Sequence, residues 1–169
     1  QIGDLVTAKD ASVPGLITSH IQDVMTTTRG LFSDWDVINE PFDNFDVMNN
    51  YGYDLMAEWF KTAGAQESGV GLFINDYGIL SGGGLNQEKQ EAYAVSINRI
   101  KSDGGPITGV AFQGHFSGTP TSITKVWEIL ERYATEFPDL DMRITEFDIT
   151  GDDEALKADY LRDFYTIAF

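Results

Sequence analysis

Apolar residues recur along this chain in two alternating rhythms. Short apolar runs at 34–39, 71–75, 109–113 and 142–145 read as strands, because each is brief, carries Val, Ile or Phe, and ends in polar residues. Segments 13–28, 51–65, 86–102, 122–137 and 154–169 instead repeat apolar positions at three- and four-residue steps, as a helix burying one face requires. In 122–137 that face comprises Ile123, Val126, Trp127, Leu130 and Ala134. The clusters SGGG (81–84), DGGP (103–106) and SGTP (117–120) fall in the connections, where glycine and proline supply turns. Strand followed by helix, four times over, predicts a parallel sheet covered by helices. Four such units are too few for a closed eight-stranded barrel, which takes about 250 residues. The pattern alone therefore leaves two architectures open: a doubly wound open sheet, or part of a barrel.

The strand ends change the picture. WDVINEP (35–41) and MRITEFDI (142–149) each carry a glutamate, Glu40 and Glu146, at or near the end of an apolar strand. An ionised side chain there is costly unless it is paired or used. The two intervening strands also end in polar residues, in FINDY (73–77) and in AFQGH (111–115). Four successive strands delivering Asn, Asp, Gln, His or Glu at one end resemble the C-terminal face of a parallel barrel, where catalytic groups collect. One such glutamate could simply cap a helix or face water; two suggest a working pair.

Composition narrows the possible partners. A chain of 169 residues, 42% of them apolar, has room for one domain with a sizeable core. A net charge of −16, with only 11 Lys and Arg, argues against nucleic acid or an anionic membrane as partner and favours a neutral substrate. No run approaches the roughly 18–20 apolar residues that span a bilayer, and QIGDLVTAKD lacks the regions of a signal peptide. The absence of cysteine excludes a disulfide framework and a Cys-based metal site, and says nothing about compartment.

WDVINEP, FINDYGI (73–79), GVAFQGHF (109–116) and ITEFDI (144–149), in this order and at these intervals, resemble glycoside hydrolase family 10, the retaining endo-β-1,4-xylanases. The resemblance implies an α/β fold, a TIM (β/α)8 barrel of which residues 1–169 supply one partial catalytic domain: about the second half, from the fourth to the seventh strand with their helices. It implies Glu40 as general acid/base and Glu146 as nucleophile, with the two carboxyl groups about 5 to 5.5 Å apart across the scissile bond. That chemistry requires Glu40 to start protonated and Glu146 ionised. By the same resemblance His115 hydrogen-bonds the nucleophile and is held by Asp148, Asn39 contacts the 2-hydroxyl of the sugar under attack, Gln113 lines that subsite, and Tyr77 stacks on the leaving-side sugar. Asn75 and Asp76 read as structural at least as readily as substrate-contacting. Trp35, Trp59 and Trp127 read as core, and His20 as non-catalytic.

The chain also departs from the family pattern. It lacks the early strands with their lysine and Gly-His-x-x-x-Trp-His segment, and the last strand with its tryptophan; Phe169 falls within the preceding helix. Expected partners are β-1,4-xylan or xylo-oligosaccharides and the remainder of a barrel, with no cofactor or metal, since two carboxyl groups suffice. The substrate implies a secreted or cell-surface location. Two alternatives stay open at this point: an inactive half-barrel that only binds β-glycan, and a related retaining β-glycanase.

Overall fold

The computed structural model describes residues 2–168 and contains four strands, β1 (Asp34–Asn39), β2 (Gly71–Asp76), β3 (Gly109–Phe116) and β4 (Asp141–Ile149). They form a single sheet in the order β1-β2-β3-β4, every pair parallel. A doubly wound sheet reverses its strand order at a switch point. Here each strand lies beside its sequence neighbour throughout, which is the connectivity of a barrel arc, and the architecture is a partial α/β barrel.

Seven helices accompany the strands: α1 (Ile2–Thr7), α2 (Val13–Thr27), α3 (Asp46–Tyr51), α4 (Leu55–Gln66), α5 (Gln87–Ser102), α6 (Ile123–Glu136) and α7 (Glu154–Ala168). The final position of the helix expected over 154–169, Phe169, lies outside the described residues. The helix expected over 51–65 is α4, which begins only at Leu55, and the short α3 before it was not expected. Gly52, at φ 110°, ends α3 in a conformation open to glycine but not to most side chains, and the chain re-enters helix only at Leu55. α1 is six residues long and was not anticipated, being too short to display a period. No helix among the described residues is long and apolar enough to cross a membrane.

The core fills the space between the sheet and α4 to α7. Phe112 of β3 meets Tyr93 of α5 and Tyr133 of α6, and Phe116 and Phe147 meet Tyr160 and Phe164 of α7. The buried tyrosines bring hydroxyls that need partners. Tyr93 Oη reaches the carbonyls of Ile74 (2.7 Å) and Ala111 (2.8 Å), tying α5 to β2 and β3, and Tyr133 Oη donates to the Gln90 carbonyl at 2.7 Å. Trp59 joins this core and Trp35 is half-buried against it, but Trp127 does not. The buried stripe of α6 runs through Val126, Ile129, Leu130 and Tyr133. Trp127 falls at its border and is 48% exposed, beside a depression of about 430 Å³ between α6, β4 and α7.

The other face of the sheet is concave and polar towards the C-terminal strand ends. Lower down, Phe73 lies against Gly109, where a Cβ would come within 2.1 Å of its ring. The Arg143 guanidinium covers that ring at 4.3 Å from the centroid and forms an ion pair with Asp34, so β4 reaches back to β1 across the arc.

Candidate active site

β1, which runs into Glu40, and β4, which carries Glu146, each hold an extra residue against the neighbouring strand. Asp36 pairs with Phe73 and Ile38 with Ile74, so β1 has one residue more than β2 in that interval. Gln113 pairs with Thr145 and His115 with Asp148, so β4 has one residue more than β3 there. Such bulges re-aim side chains and are found next to active sites. The second one lets Thr145 and Glu146 both address Asn75 on the concave face, while Phe147 turns into the core against Phe116.

Both glutamates also occupy the left-handed backbone region, Glu40 at φ 56° and Glu146 at φ 52°. Among the described residues only Lys9 is otherwise non-glycine with positive φ. A side chain held there costs of order 1–3 kcal/mol and persists only where its surroundings fix it; such residues cluster at functional sites.

Those surroundings are specific. The Glu40 N–H donates to the Asn75 carbonyl at 2.8 Å, which extends the β1–β2 pairing by one bond and fixes where its side chain begins. Its Oε1 accepts from Gln113 Nε2 at 3.0 Å, and the same amide reaches Asn39 Oδ1 at 3.3 Å. Glu146 Oε1 accepts from Asn75 Nδ2 at 3.1 Å, and Oε2 lies 3.2 Å from His115 Nε2. The opposite ring nitrogen of His115, Nδ1, lies 2.9 Å from Asp148 Oδ2. Desolvation disfavours the imidazolium, but hydrogen bonds to Asp148 and Glu146 outweigh it and raise the His115 pKa above its ordinary value. Asn75 is fully buried and extends the cluster, touching Asp36 Oδ2 at 3.3 Å and accepting from Thr145 Oγ1 at 3.0 Å.

Of the residues singled out in the sequence, Asn39, Glu40 and Gln113 thus form one connected group, and His115, Glu146 and Asp148 another. Tyr77 sits at the end of β2, 39% exposed, joined to the Glu40 loop through Lys89 and Asp43. His20, on α2, lines a depression with Asn39 and Pro41 rather than reaching the polar cluster of either glutamate. Sequence reasoning underrated Asn75, which touches Glu146 directly, and did not single out Asp36, Asp43 or Lys89. The polar end of FIND was the only signal for Asn75. Nothing in the local pattern of α5 marks Lys89, whose partners lie 13 and 46 residues away. Chemically, the arrangement offers one carboxyl held by an amide and a second oriented by an amide and a carboxylate-backed imidazole, both at the C-terminal end of a parallel sheet.

Comparison with known proteins bears on the family and the fold. Residues 3–166 match the family model described as glycosyl hydrolase family 10. Among curated proteins, endo-1,4-beta-xylanase 1 of Humicola insolens is 30% identical over 146 residues, which are 82% of this chain and 32% of that protein. Among solved structures, a Thermobacillus composti GH10 xylanase superposes with a TM-score of 0.71 at 26% identity, covering 86% of this chain and 43% of its own. A psychrophilic family 10 endo-beta-1,4-xylanase reaches a TM-score of 0.79 at 20% identity, a likeness of fold, over 94% of this chain and 53% of its own. The chain therefore spans between about a third and about half the length of these relatives.

Proposed function

The chain belongs to glycosyl hydrolase family 10, and from that membership we propose that residues 1–169 are one partial catalytic domain serving retaining hydrolysis of β-1,4-xylan. Glu146 attacks the anomeric carbon to form a glycosyl–enzyme ester, while Glu40 gives its proton to the departing glycosidic oxygen. Glu40 then takes a proton from the water that cleaves the ester, and Glu146 leaves as a carboxylate. The observation that carries this reading is the pair of left-handed glutamates on bulged strands, each oriented by its own polar neighbours.

The neighbours have matching tasks. Asn75 and His115 aim one Glu146 oxygen each, so the attacking carboxylate is pre-oriented and little motion is left to freeze in the transition state. Gln113 bridges Glu40 and Asn39, which sets the acid beside an amide able to bond a sugar hydroxyl. Tyr77 offers an aromatic face to the leaving-side sugar. Xylan or xylo-oligosaccharide as substrate, and a secreted or cell-surface site of action, follow from the same reading, as does the remainder of a barrel as the structural partner.

Hydrolysis of β-1,4-xylan tests it, with product anomers followed by NMR and carboxymethyl cellulose as the competing substrate. The β-anomer should appear first and only from xylan. Glu40→Gln should lower the rate about 10²–10⁴-fold, and Glu146→Gln should abolish ester formation seen by mass spectrometry. Initial release of the α-anomer, or an unaffected rate in Glu146→Gln, would overturn the assignment.

A further inference from the structure

Outside the two glutamate groups, one buried charge is used by none of the steps above. The Lys89 side chain on α5 is 3% exposed, and its ammonium lies 2.7 Å from Asp43 Oδ2 and 3.0 Å from Asp76 Oδ1. It also sits 3.3 Å from the centroid of the Tyr77 ring and 5.3 Å from that of Phe42. A desolvated ammonium over an aromatic face is held by the ring's negative quadrupole. These four contacts come from two places, the end of β2 and the loop after Glu40. Asp76 ends β2 and accepts the Tyr77 N–H at 2.8 Å, while Asp43 lies three residues beyond Glu40 and donates its own N–H to the Glu40 carbonyl at 3.3 Å.

We propose that Lys89 is a positioning residue: its buried ammonium clamps the Tyr77 ring to the loop that carries Glu40, so that the leaving-side platform and the acid move as one unit. The proposal rests on the reading of Glu40 and Tyr77 given above. One face of Tyr77 is taken by Lys89, yet the residue keeps 39% exposure, which leaves ring surface for a sugar. The Asp43 carboxylate also raises the Tyr77 hydroxyl above its ordinary pKa, so the two ends of the clamp feel each other. The charges support its permanence at neutral pH. Burial opposes the ammonium, but its bonds to Asp43 and Asp76 outweigh that and hold Lys89 above the ordinary lysine value, while Lys89 lowers Asp43. A lysine serving only the core would need no aromatic lid and no anchor on the catalytic loop.

The test uses Lys89→Met and, since a buried lysine can matter for folding, Asp43→Asn as a second variant that removes only the more exposed arm. Two readouts are taken on the full chain: NMR signals of the Tyr77 ring and the Glu40 amide, and KM and kcat for xylotetraose. In both variants the Tyr77 and Glu40 signals should move together, and KM should rise about tenfold, more than kcat falls, as expected for loss of one desolvated cation–π and ion-pair contact. Unmoved Tyr77 and Glu40 signals in a folded variant, or a KM within twofold of the parent, would overturn the proposal. Should the unaltered chain neither bind nor cleave xylotetraose, it is the functional reading that fails; the NMR signals then decide the clamp alone, movement supporting it and constancy overturning it.

Discussion

His115 stands between two carboxylates, and each of its ring nitrogens has one to face. Only the imidazolium can donate to both, so its charge and its geometry depend on each other. Because the folded-state pKa is raised, the stabilisation is fully present below the unfolded value of about 6.5 and is lost as pH rises through the folded value. An NMR titration should place the His115 midpoint above 6.5, and Asp148→Asn should bring it down, since Asp148 provides the leading favourable contact. A midpoint indifferent to Asp148→Asn would show that the contact is not maintained in solution. This pairing was expected from the family resemblance of FQGH and TEFD; the structure brings His115 level with Asp148 on the neighbouring strand through the bulge in β4. The contact of Asn75 with Glu146 was not legible in the sequence, because it crosses the concave face between β2 and β4, which are not adjacent, and only the curvature of the sheet creates it.

Elements were more readable than residues. Short apolar runs placed every strand and period-3.6 patterning the five longer helices, since each buries a face and writes that face into its composition. The patterning could not place the bulges in β1 and β4, because one extra residue in a strand alters aim without altering apolar content. It also overstated Trp127, since a helix stripe has a border and sequence does not say what lies beyond it. The strands' own spacing depends on small residues that hydropathy ignores. Gly109 lies under Phe73, so Gly109→Ala forces its Cβ into ring carbons flanked by β-sheet and covered by Arg143. Overpacking of this kind costs about 1–3 kcal/mol, to be read as a lower urea midpoint. Gly15 in α2 is the counter-case: nothing lies within 4 Å of its Cβ position, and Gly15→Ala should gain about 0.5–1 kcal/mol from helix propensity. Equal effects at the two positions would refute the packing argument.

At the scale of the whole molecule, the arc of four strands is held in shape from its concave side and left open along its margins. Arg143 links β4 to Asp34 of β1 across Phe73, a chord that favours curvature over a flat sheet. Among the described residues β1 and β4 each pair on one side only, and an unpaired edge presents N–H and C=O groups able to pair with another chain. Exposed apolar side chains stand beside both edges, Leu31 and Phe32 before β1, Met142 on β4 with Trp127 of α6 across the same depression. Set against association is a charge of −16, which repels a second copy over distances that salt shortens, the screening length falling from about 30 Å at 0.01 M to about 3 Å at 1 M. Edge pairing and apolar contact are short-ranged and survive screening, so salt should shift the balance towards assembly. Sedimentation of the isolated 169-residue chain should therefore give a mass near 18.7 kDa in dilute buffer at pH 7 and a larger one at high salt, or near pH 4.2 where the charge vanishes. Replacing Phe32 and Met142 by lysine, which removes the apolar contact and leaves a strongly hydrated ammonium to be desolvated at each margin, should restore the monomer in 1 M salt. A chain that stays monomeric under all these conditions would mean that its open edges are covered by its own twist and side chains, and that closing the arc requires a partner built for the purpose rather than a second copy.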